Sequence, residues 1–523
     1  MKRPAISLCM IVRNEAPSLP RCLKSVQGVT DEIIIVDTGS TDDTVPIAKS
    51  FGAKVISVPW NGNFATARNA GLNKARGTWI LFLDADEELA AEDTEQLKIC
   101  AGHLEFEAFF LQVHNHSGET LSSPTATVNP IVRMFRNRPE YRFRGSVHEQ
   151  IAVSIIERRP QAAFHLTTVK IHHYGYAGTV VTSKDKIRRN LKLLEQALSD
   201  NPNDPFHHYN VAVEYMRMQD WRSALVHLQQ SLSLSGPDTS YYHLIYKYES
   251  RCRLELREYE EAIEACDRGI SQFPDYSDLY HVKGTVLYAS GRKPEAKESL
   301  LLALQKGSPP AHYHTDAGAG TFLSAFTLGQ ICEELDEAQG AIHWYGEALR
   351  HNPAWTAPLL KLIRTMRLAN RENELQMLLL GPVRPSSPEA ITVAVKALLG
   401  EDCKQAAMAL LASLSQDGGS TSEPNLPPHM SLPSSVEDTT AERIKNAYLH
   451  GSKGEALQLL RTWLTTSSAA QEVSVGEAYR KSKTLMSLAD SQLSCLTESL
   501  PRCVIYLQVR RDLPFPKIEL EEG

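Results

Sequence analysis

Trp79-Ile80-Leu81-Phe82-Leu83-Asp84-Ala85-Asp86-Glu87-Glu88 decides how the rest of this chain is read. Five large apolar residues have the composition of a buried strand, and four carboxylates follow within five positions. Burying acids is costly unless cations or hydrogen-bond donors meet them. In an open α/β sheet, ligands bind at the carboxyl ends of the strands. Two aspartates spaced i, i+2 at such an end can hold a divalent metal, and the metal can hold a diphosphate. The competing reading is a polar strand-to-helix turn with Asp86 or Glu87 as N-cap. Glu87 and Glu88 are then expected to open the following helix, whose first turn favours acids.

Strands and helices alternate on both sides of that stretch. Ile6–Val12, Glu32–Val36 and Lys54–Val58 have the apolar content of central strands. Helices are expected over Leu19–Val26, from a cap at Ser40, Thr41 or Asp42 to Gly52, and over Phe64–Ala75 with Gly77 closing it. This spacing predicts an α/β domain with a mostly parallel, doubly wound sheet. Shorter strands, Phe109–Val113, Ile131–Phe135 and Val169–His173, with turns at Gly145 and Gly175, should complete it. A helix over Lys184–Leu198 leads out.

From residue 205 the chain repeats. With first positions at Pro205, His243, Ser277 and Phe322, alanines recur at position 20 of each unit: Ala224, Ala262, Ala296 and Ala341. The last unit also carries Leu328, Gly329, Tyr345 and Ala348 where a tetratricopeptide repeat requires them. The expected organisation is an N-terminal domain over 1–200 and repeats over 201–356, with units 205–238, 243–276, 277–310 and 322–355. A repeat-like segment follows at 357–415, then a flexible linker rich in Ser, Pro and Gly at 416–438 and a helical segment at 439–523. Residues 309–321 interrupt the repeats, and their two histidines, His312 and His314, are expected in a loop without a metal.

Composition narrows the class. At 523 residues, 42% hydrophobic and 22% charged, the chain is that of an ordinary globular protein with several cores. A net charge of −7 and the lack of a long basic run argue against nucleic-acid binding. Nine cysteines without a C-x-x-C pair suggest neither zinc nor a disulfide framework. No stretch approaches a membrane span, and Ile6–Val12 is too short for a signal segment, so a cytoplasmic protein is expected. Oligomeric state is not legible.

Four features gather at the ligand edge of such a sheet: Val12-Arg13-Asn14-Glu15, Asp37-Thr38-Gly39-Ser40-Thr41-Asp42, Ala67-Arg68-Asn69 and Leu83-Asp84-Ala85-Asp86-Glu87. Arg68 alone reads more readily as a surface salt bridge, and the Ser/Thr/Asp cluster as helix capping. Together, and in this order, they resemble the family 2 glycosyltransferases of the GT-A fold, over residues 5–90 and less specifically to 180.

The resemblance implies a metal-dependent, inverting hexosyl transfer from a nucleotide-sugar, a UDP-sugar, with Mn²⁺ or Mg²⁺. It places Val12, Arg13, Glu15, Asp37, Arg68, Asp84, Ala85 and Asp86 around the nucleotide. Asp37 would contact uracil, Arg68 the base and phosphates, Asp84 the ribose, and Asp86 the metal. In Arg144-Gly145-Ser146-Val147-His148-Glu149-Gln150 it makes Glu149 the candidate base, with His148 second; the alternative is a strand residue paired with Arg144. In Ile171-His172-His173 one histidine could complete the metal shell. Strand alternation allows only one of them, and His173, next to the turn, is the choice. Concave repeats commonly bind proteins, and similar bacterial chains are associated with peptide or protein glycosylation, so a peptide or protein acceptor is implied. The contrasting hypothesis is a repeat scaffold with an inactive transferase domain. A nucleotidyltransferase would need a glycine-rich, lysine-bearing loop after the first strand, which Arg13-Asn14-Glu15-Ala16 is not.

Overall fold

The computed structural model describes residues 5–116, 126–174, 180–401 and 403–414. Gly175, the expected linker at 416–438 and the segment at 439–523 lie outside them. The chain divides into two compact units at Ser324/Ala325.

The first unit begins with β1 (Ile6–Val12), α1 (Leu19–Ser25), β2 (Glu32–Asp37), α2 (Thr44–Ser50), β3 (Lys54–Ser57), α3 (Phe64–Leu72) and β4 (Trp79–Phe82). The alternation expected from the apolar runs is present, and β3-β2-β1-β4 run parallel. All of β4 is buried. Burying its four side chains contributes on the order of 6–12 kcal/mol as an upper bound, which makes it a central strand. Some boundaries differ. The second helix starts from Asp43, not from Ser40, Thr41 or Asp42. Ser40 and Thr41 tie the loop to the end of β1, Ser40 Oγ accepting from Asn14 N–H at 3.0 Å and Thr41 N–H donating to Asn14 Oδ1 at 2.8 Å, while Asp42 accepts from Ala16 N–H at 3.2 Å and, as expected of a capping side chain, from the first helical N–H, that of Thr44, at 3.0 Å. The third helix ends at Leu72, three residues early.

Glu87 and Glu88 do not start a helix. They form β5 (Glu87–Leu89), antiparallel to the last strand of the domain. Helix α4 (Thr94–Gly102), β6 (Ala108–His116), β7 (Ala126–Arg136), α5 (Ala152–Arg158) and β8 (Phe164–His173) follow. The three strands expected here exist but are longer. They extend the sheet as β4-β7-β6-β8-β5, with antiparallel pairing except between β6 and β8. The sheet is therefore parallel in one half and mixed in the other.

After α6 (Val180–Asp200), helix pairs follow: α7 (Pro205–Arg217) with α8 (Trp221–Leu234), α9 (Tyr242–Glu255) with α10 (Tyr259–Gln272), and α11 (Ser277–Ala289) with α12 (Lys293–Lys306). Ala224, Ala262 and Ala296 are fully buried, as close helix packing requires. Residues 309–321 are more than a loop. Thr315–Asp316 forms β9, which pairs with Thr127 and Val128 of β7 and so adds a strand from the repeats to the N-terminal sheet. Because β4 pairs with β7 only at Met134–Arg136, β9 occupies the same edge of β7 beyond the end of β4.

A buried ion cluster anchors the insertion. Lys247, with no exposed side-chain surface, lies 2.7 Å from Asp278 and 3.0 Å from Asp316, and Arg251 also pairs with Asp316. His243 accepts the His314 N–H at 3.2 Å and packs edge-on against Tyr276 and Tyr313.

In the second unit, α13 (Phe322–Glu334) and α14 (Ala338–His351) precede α15 (Thr356–Leu368), α16 (Glu372–Leu380), α17 (Pro388–Gly400) and α18 (Lys404–Leu414). A Cβ at Gly329 would stand 2.5 Å from the Tyr345 ring, so this contact admits only glycine.

The buried histidines give the fold a pH signature. Burial, with Lys247 nearby, holds His243 down at about 3, and burial holds His281 at about 4. Both lie below the ordinary value near 6.5, so under pH 6.5 the unfolded chain takes up more protons than the folded one. The contribution of these two histidines to stability is then constant above about pH 6.5 and falls on acidification toward pH 3, by up to ~1.4 kcal/mol per pH unit for each. We expect the melting temperature to fall between pH 7 and pH 5, and to fall less steeply in a His243→Gln, His281→Asn variant. Equal slopes in the two proteins would contradict this assignment.

Candidate active site

The site lies at the carboxyl end of β4, where Asp84 and Asp86 leave the sheet. Arg68, on α3, turns inward and leaves only 10% of its side chain exposed. Its Nη2 donates to Asp84 Oδ1 at 2.9 Å, its Nε pairs with Glu149, and its guanidinium lies 4.9 Å from the Phe82 ring centre. Arg133 of β7 approaches from the other side. It pairs with Glu87, lies 3.6 Å from Asp84 Oδ2, and covers the same Phe82 ring at 4.6 Å. Glu87 closes the ring of contacts by accepting the Asp84 N–H at 2.9 Å.

These surroundings separate the carboxylates. Burial would raise the Asp84 pKa, but Arg68 and Arg133 outweigh it and hold the group well below the usual range. Glu87 is pushed up to about 7 by burial and the adjacent Asp84, against the pull of Arg133. Arg133 and Glu87 were not anticipated as site residues. A lone arginine inside the apolar run Ile131-Val132-Arg133-Met134-Phe135 was the available signal.

Asp86 faces His173 of β8, with His173 Nε2 3.4 Å from Asp86 Oδ2. The other ring nitrogen, Nδ1, donates to Asn115 Oδ1 at 2.7 Å, because an amide oxygen can only accept. Asn115, Thr127 and Asp316 lie in register across β6, β7 and β9. Burial disfavours protonated His173, yet its hydrogen bond to Asp86 and the nearby acids raise its pKa. His172 points to the opposite face, toward His116 at 3.0 Å, as alternation requires.

The other expected residues cluster more loosely. Val12 and Asp37 are register partners at the ends of β1 and β2, and both are buried. Asp37 accepts from the backbone N–H groups of Gly39 at 3.3 Å and Ser40 at 3.1 Å. Gly39 has φ of +108°, a conformation that glycine adopts without strain. Glu15 accepts from Ser18 at 2.8 Å, Arg13 is exposed beside it, and Ala85 is buried between the aspartates.

Glu149 does not pair with Arg144, which meets Glu157 at 2.6 Å instead. It turns inward to Arg68, while His148 points the other way. Among the described residues no group of three or more His, Cys, Asp or Glu side chains converges as a metal site.

Residues 7–155 match the family model described as glycosyl transferase family 2, so the chain carries a domain of that family at its N-terminus. A TPR repeat-containing protein of Synechococcus elongatus is 36% identical over 46% of this chain and 60% of its own length. The glycosyltransferase SunS encoded by a prophage of Bacillus subtilis is 27% identical over 54% of this chain and 67% of its own length. The S. aureus TarS 1–349 structure in complex with UDP is 13% identical, covers 49% of this chain and 91% of its own, and superposes with a TM-score of 0.30, a likeness too slight to bear on function.

The charge cluster carries a stability prediction. Removing Arg133 leaves Glu87 buried without its cation, and such losses cost about 3–5 kcal/mol. Arg133→Met should therefore lower unfolding stability by about that amount, and adding Glu87→Leu should restore most of it. Denaturant titration of the two variants checks this. An additive double variant would show that the pair is not coupled.

Proposed function

We propose that this chain is a metal-dependent, inverting glycosyltransferase that moves a hexose from a UDP-sugar to a peptide or protein acceptor engaged by its repeats. The observation that carries the reading is the convergence of Asp86 and His173 beside an Asp84 held ionised by two arginines. Neighbouring ligands of one octahedral ion at about 2.1 Å stand about 3.0 Å apart, close to the spacing of this pair. Two protein donors suit Mg²⁺ or Mn²⁺, which keep water and take substrate phosphate as further ligands. Asp86 and His173 are thus the residues that would hold the ion. When bound, it neutralises charge building on the diphosphate as the sugar leaves.

The remaining residues have distinct tasks. Asp37, at the end of β2, offers a carboxylate to the nucleobase beside Val12, Arg13 and Glu15. Asp84 faces the ribose, with Ala85 packing beneath, and Arg68 holds that carboxylate in place. Glu149 accepts the proton from the acceptor hydroxyl. Its contact with Arg68 joins the base to the nucleotide side of the site; His148 is the second candidate. No helix of the described residues is long and apolar enough to cross a membrane.

The full chain with Mn²⁺ should hydrolyse or transfer from UDP-glucose or a related donor. Asp86→Ala should reduce this by about 10²–10³-fold, the range for removing one electrostatic stabiliser. Unchanged turnover in Asp86→Ala would remove the metal assignment, and failure of the wild type to bind UDP with Mn²⁺ would favour a repeat scaffold.

A further inference from the structure

The turn that carries Glu149 is not built by the N-terminal domain alone. Val147 is buried in one cluster with Leu194 of α6 and Val211 of α7, the first repeat helix. Ser146 accepts the Phe64 N–H at 3.0 Å, and backbone bonds between Arg144 and Gln150 at 2.9 and 3.1 Å close the segment. Within it, Gly145 has φ of +100° and His148 φ of +50°. A left-handed conformation is costly for a residue with a Cβ and persists where its surroundings fix it. Its effect is to send two neighbours apart, Glu149 toward Arg68 and His148 toward α7.

What His148 meets there is a carboxylate of the repeats. Its Nε2 is buried without a hydrogen-bond partner and lies 3.9 Å from Glu214 Oε1. Glu214 is fully buried on α7. Asn190 of α6 donates to it at 3.1 Å and Arg217 at 3.0 Å, so the acceptor is fixed in place. An approach of about 1 Å would complete the bond. Burial holds the His148 pKa below its ordinary value, against the attraction of Glu214. The ring is then neutral near pH 7, with one N–H to place.

We propose that Glu214 is a positioning residue for sugar transfer: it receives the Nε2–H of His148 and thereby fixes the turn that presents Glu149 to the acceptor. The site is then incomplete without the first repeat helix. This rests on Glu149 as the base, but the placement of the turn can be tested apart from catalysis.

Hydrogen–deuterium exchange on the full chain reads that placement directly. In Glu214→Ala, exchange across 144–150 should rise about tenfold to a hundredfold, the effect of losing a bond to a charged acceptor, while 6–12 and 79–83 stay protected. Glu214→Gln, which keeps an acceptor oxygen, should restore most of the protection. With UDP-glucose and Mn²⁺, kcat should fall in Glu214→Ala with little change in UDP affinity, and recover in Glu214→Gln. His148→Ala should loosen the same segment, and the double variant should loosen it no further. Unchanged exchange at 144–150 in Glu214→Ala, or additive effects with His148→Ala, would overturn the proposal. Should Glu214→Ala lose protection everywhere, His148→Ala decides: selective loosening supports the coupling and none refutes it. If the wild type binds no nucleotide, the functional reading fails while the exchange result still judges this contact.

Discussion

Asp84 is the point on which the structure turns. Its carboxylate follows a fully buried strand and stays partly open to solvent, and two arginines meet the side of it that faces the protein. Arg68 comes from α3 and Arg133 from β7, and both guanidiniums rest on Phe82. Once they are committed, much else follows. Arg68 draws Glu149 into the site, Arg133 draws in Glu87, and Glu87 starts a strand instead of a helix so as to reach it.

That arrangement ties the parallel and antiparallel halves of the sheet together across the site. The parallel half delivers Asp37, Arg68, Asp84 and Asp86 by the general rule that ligand groups collect at strand ends. The antiparallel half delivers Arg133, Asn115 and His173, whose places depend on register. The repeats then touch both sides: β9 extends β7 beyond the end of β4, and Glu214 lies against the Glu149 turn. In this unit the helical repeats are part of the scaffold of the site and are not a tethered appendage.

How much of this was legible in the sequence follows the range of the interactions. Strand ends announce themselves locally, so Asp37, Asp84 and Asp86 could be found from runs of apolar residues ending in polar ones, whereas Arg68, inside α3, was singled out only by the family resemblance. Alternation separated His172 from His173, and the neighbouring turn, not alternation, made His173 the choice. Glu87 was misread because acids fit a helix start as well as a strand end, and its arginine partner is 46 positions away. β9 is only two residues long and leaves no periodic trace. Glu214 sits on a helix where a glutamate ordinarily means a solvated face, and only the packing of α6 and α7 buries it.

The central claim is that Asp86 and His173 share one ion with the donor diphosphate. A crystal of the full chain grown with UDP and Mn²⁺, examined by anomalous scattering at the manganese edge, tests it most directly. The account predicts a peak about 2.1–2.3 Å from Asp86 Oδ2 and His173 Nε2, with diphosphate oxygens completing the shell. UDP bound at the end of β4 with no manganese between these two side chains would contradict it.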